Sequence, residues 1–206
     1  MHRRRSALTV SAAAALLLGV PLLSGCGSAD AHPGAAAVVD GEQIAVSAVQ
    51  ARAEAVRDAQ RADPEAEQLI QSTGPLQRYM LNYLLVERVV EEAARDAGVS
   101  VSRRDVQEYR ATEEERFRGA EMLEAVMLRE RAVAPEQIDD ALRVEMLAQR
   151  TAEKLGADVE RVFAETAREL GIDVNPRYGT WSAEQVTLTG TQDPWLKPAT
   201  IPQEPA

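Results

Sequence analysis

The chain has a single cysteine in 206 residues, two histidines, and aromatic residues at only 4%. One cysteine, Cys26, excludes an internal disulfide, and a thiolate metal site would need His or Cys partners at ligand spacing that the sequence does not offer. His32 is the one histidine after Cys26, so it reads as a linker residue and not as a metal ligand. With so few rings and hydrophobic residues at 45%, a core has to be built from Ala, Val, Leu and Met. That composition suits packed helices. A formal charge of −10 means repulsion from polyanions, which excludes nucleic acid, or an anionic membrane surface, bound through a basic patch. The sequence also lacks a GxSxG elbow, a Gly-rich phosphate loop and a metal-ligand cluster. No cofactor, no metal and no catalytic residue is therefore expected.

What the chain does have begins at its N-terminus. Arg3, Arg4 and Arg5 precede an apolar or small stretch from Ser6 to Gly25, the pattern of a secretory signal peptide over residues 1–25. Pro21 and the small residues after it favour cleavage over an uncleaved membrane helix. Leu23-Ser24-Gly25-Cys26 resembles the bacterial lipoprotein signal. That resemblance implies diacylglycerol on the Cys26 sulfur and cleavage between Gly25 and Cys26. Paired acyl chains hold a protein stably on a bilayer where one chain holds it only marginally. The expected location is the extracytoplasmic face of the cell membrane, lipid-anchored. Residues 26–34 then read as a flexible linker, holding the folded part about 15 Å from the anchor by random-coil scaling.

The remaining sequence predicts a mainly α fold with a small β-hairpin. In Ala35–Val46, Asp40-Gly41 lies between two β-prone runs, as a type I′ turn prefers. Ser47 offers an N-cap for a helix that buries Val49, Ala53 and Val56, with a short helix expected at Glu65 to Ile70. The strongest helical pattern runs from Pro75 to Ala97. There Leu81, Leu85 and Val89 widen the apolar face beyond one stripe, and Gly98 supplies the stop.

Ser102 and Asp105 predict a capping box for the next helix, and Gly119 a break after it. Pro135 suits the first turn of another helix running toward Leu155. A last helix is expected over Asp158 to Leu170, burying Val159, Val162 and Phe163. Ile172 and Val174 could supply a strand to the N-terminal hairpin, since two strands alone are marginal. From residue 182 to 206, four prolines from Pro194 onward predict a mostly disordered tail, with Trp195 as a docking point.

The order of these parts resembles a known family. Ala36 to Ile44 is similar to the start of SurA-type chaperones and PrsA- or PpiD-type foldases. Residues 81–109 resemble their core helix, Gly stop and following helix, and Asn175-Pro176-Arg177-Tyr178-Gly179 resembles their closing segment. The resemblance covers residues 35–181 and implies a helical chaperone domain that binds unfolded or newly exported proteins without ATP. Such foldases often insert a parvulin-type isomerase before the last helix. Here only Gly156 and Ala157 separate Leu155 from that helix, so no isomerase activity is assigned.

Within this reading Met80, Met122, Met127 and Met146 are the candidate client-binding residues, because thioether side chains adapt to irregular apolar partners. The alternative is an adaptor lipoprotein that holds one cell-envelope partner. The two differ in breadth of binding. For the anchor itself, Cys26→Ala is expected to leave the domain folded and to move it from the membrane to the soluble fraction. Retention of that variant in membranes would sink the tether or point to an uncleaved N-terminal helix.

Overall fold

The computed structural model describes residues 34–190; the signal peptide expected over residues 1–25, Cys26, the expected linker as far as residue 33, and Trp195 lie outside them. The fold is mainly α, as expected. Strands β1 (Ala35–Val39) and β2 (Glu42–Ala45) form the antiparallel hairpin. Asp40 and Gly41 both have positive φ, 49° and 77°, as a type I′ turn requires. The turn is tied down by the Asp40 amide, which donates to the Leu170 carbonyl at 2.8 Å.

Helix α1 (Val46–Ala62) follows without a gap, capped at Ala45 rather than at the expected Ser47. The reason is tertiary. The Val46 amide donates to the Gly34 carbonyl at 2.9 Å, so the strand entering the hairpin satisfies a donor that a serine would otherwise have served. After α2 (Ala66–Ser72) comes α3 (Leu76–Asp96), the long helix the pattern predicted. It ends in a Schellman motif: Gly98, at φ 63°, donates to the Arg95 carbonyl and Val99 to that of Ala94.

Helix α3 is covered on most sides. Leu81, Leu85 and Val89 are fully buried in a cluster with Ala36, Val49, Val56 and Ala167. Val90 and Ala94 face the other way, onto Val144 and Leu147 of α6 (Ile138–Leu155). A third cluster joins α4 (Arg103–Arg116), α5 (Ala120–Arg131) and α6 through Val106, Leu123, Ile138 and Leu142. The capping box of α4 is present, with the Asp105 amide donating to Ser102 Oγ at 3.1 Å and the Ser102 amide to Asp105 Oδ2 at 2.7 Å. Among the described residues no helix is long and apolar enough to cross a membrane.

Helix α7 (Val159–Glu169) packs differently from expectation. Ala164, Thr166 and Ala167 are its buried residues, while Val159, Val162 and Phe163 are only half-buried. Small side chains let α7 lie close to α3, which leaves its larger residues at the rim of the contact. Beyond it, β3 (Asp173–Val174) pairs with β1, Ala37 opposite Val174, so the sheet order is β2-β1-β3. The strand expected from Ile172 and Val174 does join the hairpin. It closes the two ends of the domain on each other.

The boundary expected at residue 182 does not hold as placed. Strands β4 (Thr180–Ser182) and β5 (Thr187–Thr189) form a second hairpin, and Leu188 is buried against α3. Asn82 on α3 accepts the Leu188 amide at 2.6 Å and the Thr187 hydroxyl at 3.2 Å through one oxygen. That partner lies about a hundred positions away in the chain, where periodicity within the tail could not reveal it. Gly179 makes the hairpin possible: at φ 126°, a Cβ there would meet the Thr189 carbonyl oxygen at 2.2 Å.

Asn82→Ala removes both hydrogen bonds and leaves a buried amide without its acceptor, at a cost of about 1–3 kcal/mol. Hydrogen exchange is expected to speed up at Leu188 more than at Leu85. Unchanged protection at Leu188 would show that Asn82 does not hold the hairpin.

Candidate functional site

Three of the four candidate methionines are not at the surface. Met80 and Met127 are each 3% exposed and Met146 is 8% exposed, all inside the packed clusters, whereas Met122 on α5 is 54% exposed. The expected methionine surface does not form, because Met80, Met127 and Met146 fall on the inward stripes of their helices. Spacing places a residue on a stripe without saying whether another helix covers it. Tyr79, 46% exposed, is the other large exposed hydrophobic among the described residues, and its hydroxyl donates to the Arg131 carbonyl at 3.2 Å.

The apolar surface lies instead in a cleft between α1 and the start of α3, with a volume of about 370 Å³. Its floor is Ala53, Pro75 and Leu76; its walls are Gln50, Glu54, Arg57, Arg61 and Gln77. Ala53 is central, since a small side chain on α1 leaves room where a leucine would fill the gap. Arg57 is held in place, donating to Gln60 Oε1 at 2.9 Å and to the Ile70 carbonyl at 3.4 Å. Gln60 is in turn buried and donates to Thr73 Oγ1 at 2.7 Å, which fixes α2 against α1. An open trough of this kind can take apolar side chains of a bound segment, with polar groups along both walls. A second cleft of about 550 Å³ lies between α4 and α6, but Arg103, Asp139, Asp140 and Arg143 line it beside Val101 and Val106.

A polar seam joins α1, α3 and α6. The Arg52 guanidinium lies over the Tyr83 ring at 5.0 Å and reaches Asp140 at 3.4 Å. Arg143 pairs with Glu91 at 2.6 Å, and Arg131 with Glu145 at 2.6 Å. The Tyr83 hydroxyl is buried without a hydrogen-bond partner. Burial, and then the charge of Glu87, push its pKa up to about 12, so at neutral pH it is neither a base nor a nucleophile. Burial also raises the pKa of the Glu87 carboxyl, one helical turn away. Among the described residues, no group of three or more His, Cys, Asp or Glu side chains could hold a metal ion.

A family model described as the SurA-like N-terminal domain matches residues 1–152. The chain belongs to that family. The SurA-like match takes in the hairpin, both walls of the α1–α3 cleft and most of α6. The module is of the chaperone-like or isomerase-associated kind; SurA N-terminal domains are non-catalytic, and their character suggests protein substrates. No curated protein and no solved structure matches the chain.

Two carboxyls of this SurA-like domain, Asp105 in the α4 capping box and Glu87 beside the seam, carry pH signatures of opposite sign. Hydrogen bonds from the Ser102 amide and hydroxyl, then from Arg150, lower Asp105 to about 2, so its contribution is present above the ordinary carboxylate range and is lost as pH falls toward 2. Glu87 is the reverse, because a raised carboxyl pKa means that the folded state disfavours the charged form. Glu87→Gln is expected to raise the melting temperature at pH 7, and the gain is expected to vanish at pH 4, where the acid is protonated. An equal gain at both values would show that charge burial is not the cause.

Proposed function

We propose that this protein is a lipid-anchored, ATP-independent holdase that shields apolar segments of newly exported proteins at the extracytoplasmic face of the membrane. The observation that carries the reading is the apolar-floored cleft between α1 and α3, in a chain of the SurA-like family. Each apolar side chain that leaves water for such a floor contributes about 25 cal/mol per Å² buried. A shallow, open trough gathers only part of that from any one segment. Binding is then weak and reversible, as a holdase needs.

Leu23-Ser24-Gly25-Cys26 supports the tether, with lipid on Cys26 after cleavage behind Gly25. A tether raises the local concentration of the cleft near emerging clients without adding a contact. The acidic balance supports the same reading: the full chain carries −10, cleavage behind Gly25 removes three arginines and no acid, and mutual repulsion keeps loaded complexes apart. The proposal includes no prolyl isomerase activity, because only Gly156 and Ala157 occupy the place where such a domain would be inserted.

The test uses the full chain carrying Cys26→Ala, mixed with two unrelated aggregating proteins while light scattering is followed. Suppression of both at near-stoichiometric ratios is expected, with no catalysis of proline-limited refolding. Gln50 and Gln77 are exposed on the cleft rim. Gln50→Glu with Gln77→Glu is therefore expected to leave the fold intact and to weaken suppression by up to about tenfold, or about 1.4 kcal/mol. Suppression untouched by the rim pair would move client binding away from this cleft. Failure to protect either client would overturn the holdase reading.

A further inference from the structure

Arg57 stands on the cleft wall with one edge of its guanidinium in use. Its Nη1 donates to Gln60 Oε1 and to the Ile70 carbonyl, and Gln60, 1% exposed, is oriented in turn by donating Nε2 to Thr73 Oγ1. Two bonds from one nitrogen fix the plane of the group. The other edge, Nε and Nη2, makes no hydrogen bond among the described residues. That is the edge with which Arg129 grips Asp63, its Nε reaching Oδ2 at 3.1 Å and its Nη2 reaching Oδ1 at 3.0 Å. Such a fork fits both oxygens of one carboxylate.

Most half-buried arginines of the domain are already neutralised. Arg52, Arg110, Arg143 and Arg150 each meet an acid at 3.4 Å or less. Arg57 and Arg78 meet none among the described residues, and of these two Arg57 lines the cleft. Arg61, on the same wall, is paired with Asp58. Glu54 also lines the wall without an ion pair, but it is exposed. A carboxylate in water gains little from a partner, whereas a guanidinium that has lost part of its hydration gains more. The floor sharpens the point. Ala53 and Leu76 are 6% and 5% exposed, so the apolar area they offer is small and the wall has to discriminate.

We infer that Arg57 selects, among extended apolar segments, those that carry an aspartate or glutamate side chain, whose carboxylate it grips through Nε and Nη2. The trough is open, so a chain can pass through it, and the acid belongs to the middle of the segment rather than to its end. That the occupant is a client segment rests on the holdase reading above; the free edge of Arg57 does not.

The test uses the full chain carrying Cys26→Ala and three peptides of equal leucine and valine content, each with a dye at its N-terminus. The first is amidated and has a central aspartate, the second is amidated with asparagine there, and the third is the asparagine peptide with a free C-terminal carboxylate. At low salt the aspartate peptide is expected to bind about threefold to tenfold tighter than its asparagine twin, and added salt is expected to shrink that ratio. Arg57→Gln is expected to bring the ratio to one. Glu54→Gln, at an exposed and unpaired position, is expected to raise it, since a like charge is removed from the wall. The Arg57 Nε–H NMR signal reads the contact without changing Arg57, and it is expected to shift with the aspartate peptide alone. Equal binding of the two amidated peptides, or a ratio that survives Arg57→Gln, would overturn the inference and leave the holdase reading standing. Tightest binding of the third peptide would make a chain end the occupant and overturn it as well. If no peptide binds, the inference falls, and light scattering with whole clients decides the holdase reading separately.

Discussion

Helix α3 carries apolar residues on more than one face, and a helix of that kind is stable in water only if other elements cover it. Leu81, Leu85 and Val89 need one partner set and Val90 and Ala94 another, so α1, α7 and the first sheet gather on one side and α6 on the other. Losing either cover would expose several fully buried aliphatic side chains at once, at about 1.5–3 kcal/mol each. The positions of α1, α6, α7 and the first sheet follow from this requirement, and α4 and α5 pack in turn on α6. Even Asn82, a polar residue on the same helix, is used to hold β5.

The sheet solves a second problem, that of a hairpin too small to stand alone. β1 is a run of alanines ending in valines, with Ala35, Ala36 and Ala37 all fully buried. Side chains this small let the strand sit between a helical layer and its two neighbours. β3 then arrives from the far end of the domain, and Asn175 fastens it, its amide bonding the Ala36 carbonyl at 3.0 Å and its side chain that of Ala35 at 3.2 Å. The two ends are thus joined beside the place where β4 and β5 lie on α3.

Charge in this molecule serves position rather than chemistry. Arg52, Arg131 and Arg143 each pair with an acid on another segment of the bundle or close the seam beside it, and Tyr83 stays protonated beneath them. Packing leaves a cleft unfilled between α1 and α3, with Ala53 on its α1 side and Leu76 on its α3 side. A trough left between two helices has no motif. It is visible only once two helices face each other.

Local rules therefore reached far, and their failures share a cause. The Asp40-Gly41 turn, the Ser102–Asp105 capping box, the Gly98 stop and the span of α3 depend on residues within a few positions of one another, and the sequence by itself determined them. The N-cap of α1, the buried side of α7, the fate of three methionines and the second hairpin depend on partners far away in the chain. Periodicity names a stripe, and only tertiary contact decides whether that stripe meets another helix or water. Met127 and Met122 illustrate the point on one helix, the first buried and the second exposed. The family was legible in the order of the pieces, but the cleft was decided by the tertiary structure, because a gap belongs to two elements and to neither sequence alone.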